Sequence, residues 1–192
     1  MINYLKNRIM DKKFKKLLDN MSSKIHELNS STMCFLGDKP KKLPWKINEM
    51  DESCNILKTK LKNLIEFYIL SGYNTFISDL AIGFNIICAE IVISLKLDYP
   101  HITLIGALPY KNQESGWTKL EKMRYYNVLK NTDKIRCIYE TYPDSKHLNE
   151  NKSYMINNSS LIITFYDGKT SEIDSAIKYA KKQGIKIISL KL

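Results

Sequence analysis

In the stretch FISDLAIGFNIICAE, residues 76–90, an apolar strand-like triplet runs into an apolar helix-like segment, and Asp79, Gly83 and Asn85 stand at the junction. A chain that turns from strand to helix points the free N–H groups of the helix's first turn outward, and phosphates are often held there. Such loops usually carry several glycines, so that backbone can approach the phosphate, and no acid. Asp79 therefore has two readings: a ligand-facing group in a remodelled phosphate loop, or a helix cap. Leu80, Ala81 and Phe84 complete this candidate loop. Three further segments carry polar or aromatic residues out of keeping with a mere turn. LGDKPKKLPW offers Gly37, Asp38, Lys39, Pro40 and Trp45; LPYKNQESGW offers Pro109, Tyr110, Gln113 and Trp117; YDGKTSE offers Tyr166, Asp167, Gly168, Lys169, Thr170 and Ser171. Trp45, Tyr110, Trp117, Tyr154 and Tyr166 are candidate platforms for a planar base, or plain core aromatics.

Other chemistries find little support. No Ser-His-Asp or Cys-His constellation is evident. Cys34, Cys54, Cys88 and Cys137 form no CxxC pair and read as reduced core residues. His26, His101 and His147 do not join them at zinc-site spacings, so neither a metal nor a cofactor is expected.

The elements that must position these loops alternate from residue 32 onward. TMCFLG, TFIS, ITLIGAL, IRCIY, SLIITFY and IKIISL read as strands. ESCNILKTKLKNLIEFYILSG, IGFNIICAEIVISLKLD, TKLEKMRYYNVLKNT and SEIDSAIKYAKKQG read as helices, with a short one within 146–158. Strand–helix alternation with continuous apolar strands predicts an α/β, Rossmann-like parallel sheet with helices on both faces. The four loops then emerge at the carboxyl ends of the first, second, third and fifth strands, where such sheets collect ligands. Residues 1–30 read as a basic amphipathic helical extension, with apolar positions from Ile2 to Leu28 at helical spacing, and 31–192 as the domain. The extension packs on the core or on a second copy of the chain; a homo-oligomer is the expectation.

The formal charge of +10 invites a polyanion partner, yet the lysines are dispersed along the chain rather than gathered in one run. The first twenty residues are too charged for the apolar core of a secretory signal, and no apolar run spans a bilayer. A cytoplasmic location and no membrane partner are expected.

With these blocks in order, the chain resembles the SLOG superfamily over about residues 32–191, closest to its small bacterial and phage members. The resemblance implies a Rossmann-like fold and nucleotide-derived ligands, or nucleic acid in the DNA-processing branch. The Lonely Guy branch cleaves the N-glycosidic bond of nucleoside monophosphates, and other branches sense nucleotide signals in bacterial defence. Where the family commonly reads T-G-H-R-P, this chain has Leu36-Gly37-Asp38-Lys39-Pro40. Where it reads G-x-A-x-G-x-D, this chain has Asp79, Ala81, Gly83 and Asn85, followed by a retained Glu90. Pro109, Gln113, Trp117, Arg124-Tyr125 and Tyr166-Asp167-Gly168-Lys169 are kept, while the closing G-G-T is replaced by Ser171-Glu172-Ile173.

Kept walls and altered phosphate turns together favour binding of a nucleotide-derived small molecule (NAD, ADP-ribose or a cyclic nucleotide signal) without turnover. A sensor or sequestering protein fits, with phage–host defence or counter-defence as its setting. The alternative is a nucleotide N-glycosidic hydrolase, for which Glu90 and Arg124 would be the catalytic pair. Nucleic-acid binding is the third reading.

Overall fold

The computed structural model describes residues 30–142, 148–166, 171 and 173–192; the expected N-terminal helix, Asp167–Thr170 and Glu172 lie outside them. Six strands form one sheet: β1 Thr32–Gly37, β2 Thr75–Ser78, β3 Thr103–Tyr110, β4 Lys134–Tyr139, β5 Leu161–Phe165 and β6 Lys186–Leu190. Among the described residues five α-helices alternate with them: α1 Glu52–Leu70, α2 Phe84–Leu95, α3 Lys119–Lys130, α4 Leu148–Asn157 and α5 Asp174–Lys182. Every pairing is parallel and the strand order is β4-β3-β2-β1-β5-β6. This is the Rossmann-like sheet read from the alternation of segments.

Side chains alternate across the sheet, so each strand feeds two cores. Met33, Phe35, Phe76, Leu104, Leu161 and Ile163 pack with α1, α2 and α3 on one face. Cys34, Leu36, Ile77, Ala107 and Ile162 pack with Met155 and Ile156 of α4 and Ala176 and Ala180 of α5 on the other. Helix α1 buries Cys54, Leu57, Leu61, Ile65, Tyr68 and Ile69, a stripe at three- and four-residue spacing. Asp51 starts it by accepting the Ser53 N–H at 2.9 Å. A reciprocal pair starts α3: Thr118 Oγ1 accepts the Glu121 N–H and Glu121 accepts the Thr118 N–H.

From β1 to β4 the chain steps outward in one direction, then crosses back to lay β5 on the free edge of β1. The helices change face at that reversal. The carboxyl ends of β1 and β5 therefore flank a topological switch point, the place where open α/β sheets hold ligands. Gly37 and Phe165 are register partners at its lip.

Candidate ligand site at the carboxyl rim

Three rim loops are tied together. Gly83 has φ of 101°, and a Cβ there would lie 2.6 Å from the Asp38 carbonyl oxygen and 3.0 Å from Pro40 Cδ. Only glycine lets the start of α2 close on the β1 loop this way, and the Phe84 N–H then donates to Asp38 O at 3.3 Å. Gln113, buried in the loop after β3, donates to the Asp79 carbonyl at 2.9 Å. From the fourth segment, Ser171 Oγ donates to Asp38 Oδ1 at 2.6 Å. Tyr166 donates its hydroxyl to Asp174 in the first turn of α5.

Asp79 does not cap α2, whose N-cap is Gly83 with no side-chain bond; it holds the turn that leads into that helix. Its Oδ1 accepts the Ala81 N–H at 2.9 Å and the Asn85 amide at 2.8 Å, which fixes the turn into α2. Oδ2 carries no hydrogen bond among the described residues. Burial pushes the Asp79 carboxyl up, opposed by the Ala81 and Asn85 hydrogen bonds and by the charges of Lys152 and Lys39. Lys39 also acts on Tyr110, whose hydroxyl is raised first by burial. Three of the turn's donors are used internally: Leu80 N–H goes to Ser78 Oγ at 3.1 Å, Ala81 N–H to Asp79 and Phe84 N–H to Asp38. Ser78 Oγ in turn donates to Asn85 O at 3.0 Å. Leu80 is held at φ of 57°, an uncommon conformation for a branched residue.

Several sequence candidates occupy other roles. Leu80 and Phe84 are fully buried core residues, Phe84 lying against Gly37. Trp45 is buried with its ring centroid 5.6 Å from that of Phe165, so it offers no exposed stacking face. Its indole N–H has no acceptor among the described residues. Tyr110 and Trp117 are half-buried and sit edge-on to Tyr142 and Tyr125. Tyr154 carries the Arg136 guanidinium 3.9 Å above its ring. Gly37, Asp38, Lys39, Pro40, Ala81, Asn85 and Gln113 lie in the loops that meet at the rim.

Glu90 and Arg124 are bonded to each other. Arg124 Nε and Nη2 donate to the two Glu90 oxygens, each at 2.6 Å, and Nη1 and Nη2 donate to Glu49 at 2.5 and 3.1 Å. Lys58 closes on Glu49 at 2.9 Å. Burial would lower the Arg124 value, but the Glu90 and Glu49 carboxylates outweigh it and raise it. Burial likewise opposes Glu49, yet Arg124 and Lys58 hold its carboxyl below the ordinary range. This pins α2, α3 and the segment before α1 together.

Sequence reasoning did not single out Ser78, Glu49, Asn151, Lys152 or Thr164. Asn151, 3% exposed, donates its amide to Ala107 O at 2.7 Å, and its Oδ1, like Asn85 Oδ1 and Thr164 Oγ1, has no partner among the described residues. A shallow concavity of about 470 Å³ along Met50, Glu52, Asn55, Ile56, Thr59 and Lys60 lies on the outer face of α1 and gathers none of the rim residues. Among the described residues no cluster of His, Cys, Asp and Glu could hold a metal, and no helix is long and apolar enough to cross a membrane.

The profile of one family, YpsA, described as the YspA SLOG family, matches residues 33–191. The chain belongs to that family. Among relatives, a UPF0398 protein of Brevibacillus brevis is 29% identical over 140 residues, 72% of this chain and 73% of that protein. An "uncharacterized SPbeta prophage-derived protein", YoqJ, of Bacillus subtilis is 32% identical over 66% of this chain and 81% of its own length. In fold, the chain resembles DNA processing protein A of Helicobacter pylori, described for its single-stranded DNA binding mode, with TM-score 0.55 at 15% identity, over 88% of this chain and 68% of that one. The Streptococcus pneumoniae counterpart gives TM-score 0.53 at 10% identity, this chain spanning 52% of its length.

Proposed function

We propose that this protein binds a nucleotide-derived small molecule at the carboxyl rim beside β1, β2 and β5 and releases it unchanged, as a sensor or sequestering protein. The observation that carries the reading is the convergence of the loops after β1, β2, β3 and β5 on Asp38 and Asp79, through Gly83, Gln113 and Ser171. Turnover is disfavoured by the commitment of Glu90 and Arg124 to each other and to Glu49. A carboxylate already paired to two guanidinium nitrogens is poorly placed to stabilise an oxocarbenium centre or to activate water. The prophage-derived relative agrees with a phage–host setting.

The test is a thermal-shift panel of NAD, ADP-ribose, cyclic ADP-ribose isomers, cyclic dinucleotides and nucleoside monophosphates. A ligand at about 100 times its dissociation constant stabilises the fold by about 2.7 kcal/mol. Denaturing the complex and recovering intact ligand by chromatography supports the reading; steady release of free base, abolished by Glu90→Gln, overturns it. Nucleic-acid binding is the second reading, favoured by the formal charge of +10 and by what the Helicobacter protein binds. It predicts retention of single-stranded DNA that falls steeply with salt. Light scattering of the same samples tests the homo-oligomer.

A further inference from the structure

We propose that the rim contains a subsite for a vicinal diol, as a ribose with free 2′- and 3′-hydroxyls presents, formed by Asp79, Asn85 and Asn151. The inference rests on the nucleotide reading of the rim and narrows it.

Asn85 and Asn151 are 4% and 3% exposed. Asn85 Nδ2 donates to the Asp79 carboxylate and Asn151 Nδ2 to the Ala107 carbonyl. Carboxylates and carbonyls only accept, so chemistry fixes which end of each amide is nitrogen. The two Oδ1 atoms are therefore acceptors, and neither has a partner among the described residues. Buried acceptors are rarely left so, because losing water without a replacement donor is costly. Asp79 Oδ2 is a third acceptor, since Ala81 and Asn85 both use Oδ1.

The three residues are grouped around Asp79: Asn85 bonds its carboxylate directly, and Asn151 bonds the carbonyl of Ala107 on the next strand. Ser78 pairs with Gly106 in register, so Asp79 and Ala107 come next on adjacent strands, about 4.8 Å apart. Asp79 continues the Ile77 side of β2, the face that also carries Ala107 and α4. Asn151 of α4 reaches the Ala107 carbonyl there, and the charge of the neighbouring Lys152 is felt at Asp79.

A ligand for this spot must bring donors. A phosphate brings only acceptors. An ammonium brings donors, but the charges of Lys152 and Lys39 already act on Asp79 and oppose a further cation beside it. Two adjacent neutral hydroxyls satisfy both conditions. Nucleotides linked through both ribose oxygens, or cyclised at one of them, lack the diol, so the subsite selects against cyclic dinucleotides and for the NAD and ADP-ribose class.

Calorimetric titration of the unaltered chain with AMP, 2′,3′-dideoxyadenosine 5′-monophosphate and cyclic di-AMP tests this. AMP is expected to bind at least tenfold more tightly than the dideoxy compound, and cyclic di-AMP not to compete with it. Asp79→Asn keeps Oδ1 for Ala81 and Asn85 but turns Oδ2 into a donor, and should bring AMP down to the dideoxy level. A preference below threefold in the unaltered chain overturns the subsite and leaves the rim a nucleotide site. Binding of neither monophosphate also overturns it, and the ligand panel above then decides the broader reading separately. The ligand comparison needs no variant, so it decides even where Asp79→Asn fails to fold.

Discussion

Gly83→Ala isolates the contact that joins the first two rim loops. Gly83 has φ of 101° and ψ of −133°, a region that residues with a Cβ rarely enter. Holding alanine there costs of order 1–3 kcal/mol. The added Cβ would also meet the Asp38 carbonyl oxygen at 2.6 Å and Lys39 C at 3.1 Å, backbone atoms that cannot swing aside as a side chain does. Relief requires the β1 loop to move, and overpacking of this kind costs about 1–3 kcal/mol more. The sum, roughly 2–6 kcal/mol, is a large part of the about 5–15 kcal/mol that holds a domain together. At about 2–4 °C per kcal/mol for a chain of this size, Tm should fall by roughly 4–24 °C.

Gly72→Ala is the matched control. Gly72 has φ of 98°, but nothing lies within 4 Å of the position its Cβ would take. It carries the backbone strain without the collision, so its cost should stay at about 1–2 kcal/mol. Urea and thermal unfolding of both variants, read by circular dichroism, give the difference directly. If Gly83→Ala costs no more than Gly72→Ala within about 0.5 kcal/mol, an ordinary additivity error, the close approach of α2 to the β1 loop is not a real constraint. The rim as described would then be wrong.

Perturbations at four other residues follow from the same geometry. Glu90→Gln should cost about 1 kcal/mol in urea unfolding, since the Arg124 cluster is partly solvated, and should change no ligand's chemical fate. The depressed Glu49 carboxyl makes the cluster's contribution full above the ordinary Glu range near 4, and it is lost as pH falls through the lower folded value; a Tm–pH series on Glu49→Gln should show its deficit vanish at low pH. Asp79 has the opposite sign: its raised folded value means stability is greatest below the ordinary Asp range and declines as pH rises, so Asp79→Asn should match the native Tm near pH 4 and exceed it at pH 7. Trp45→Phe keeps a ring against Phe165 and removes a buried unpaired N–H, so calorimetry should find it within about 1 kcal/mol of native, whereas Trp45→Ala should lose about 3–5 kcal/mol.

The sheet was legible because its strands are continuous apolar runs separated by helices of clear period. Even the short α4 fell within the predicted 146–158. The rim was legible as a set of loops, since loops that follow parallel strands must emerge at the same end. What local spacing could not reveal was orientation and partnership. Nothing in WKINEMDES says that Glu49 will bridge to Arg124, 75 residues away, and a tryptophan among lysines and prolines reads equally well as a platform or as core. Asn151 carried no signal at all, because its role depends on α4 crossing above the carboxyl end of β3.

Asp79 stands where the resemblance to the family puts a glycine, and its side chain takes part in the turn's own hydrogen bonding. In a glycine loop the backbone N–H groups are left facing outward, which suits an anion. Here the substituting side chain folds back and takes the Ala81 N–H, Ser78 takes that of Leu80, and the β1 loop takes that of Phe84. Three donors that could have met a phosphate are consumed within the protein. Asp79 Oδ2 and Asn85 Oδ1 are instead left as acceptors, in a region that Lys39 and Lys152 keep from being wholly negative. The turn has thus changed the sense of its hydrogen bonding rather than merely its strength. On the proposed reading, a nucleotide seats here through a part that donates.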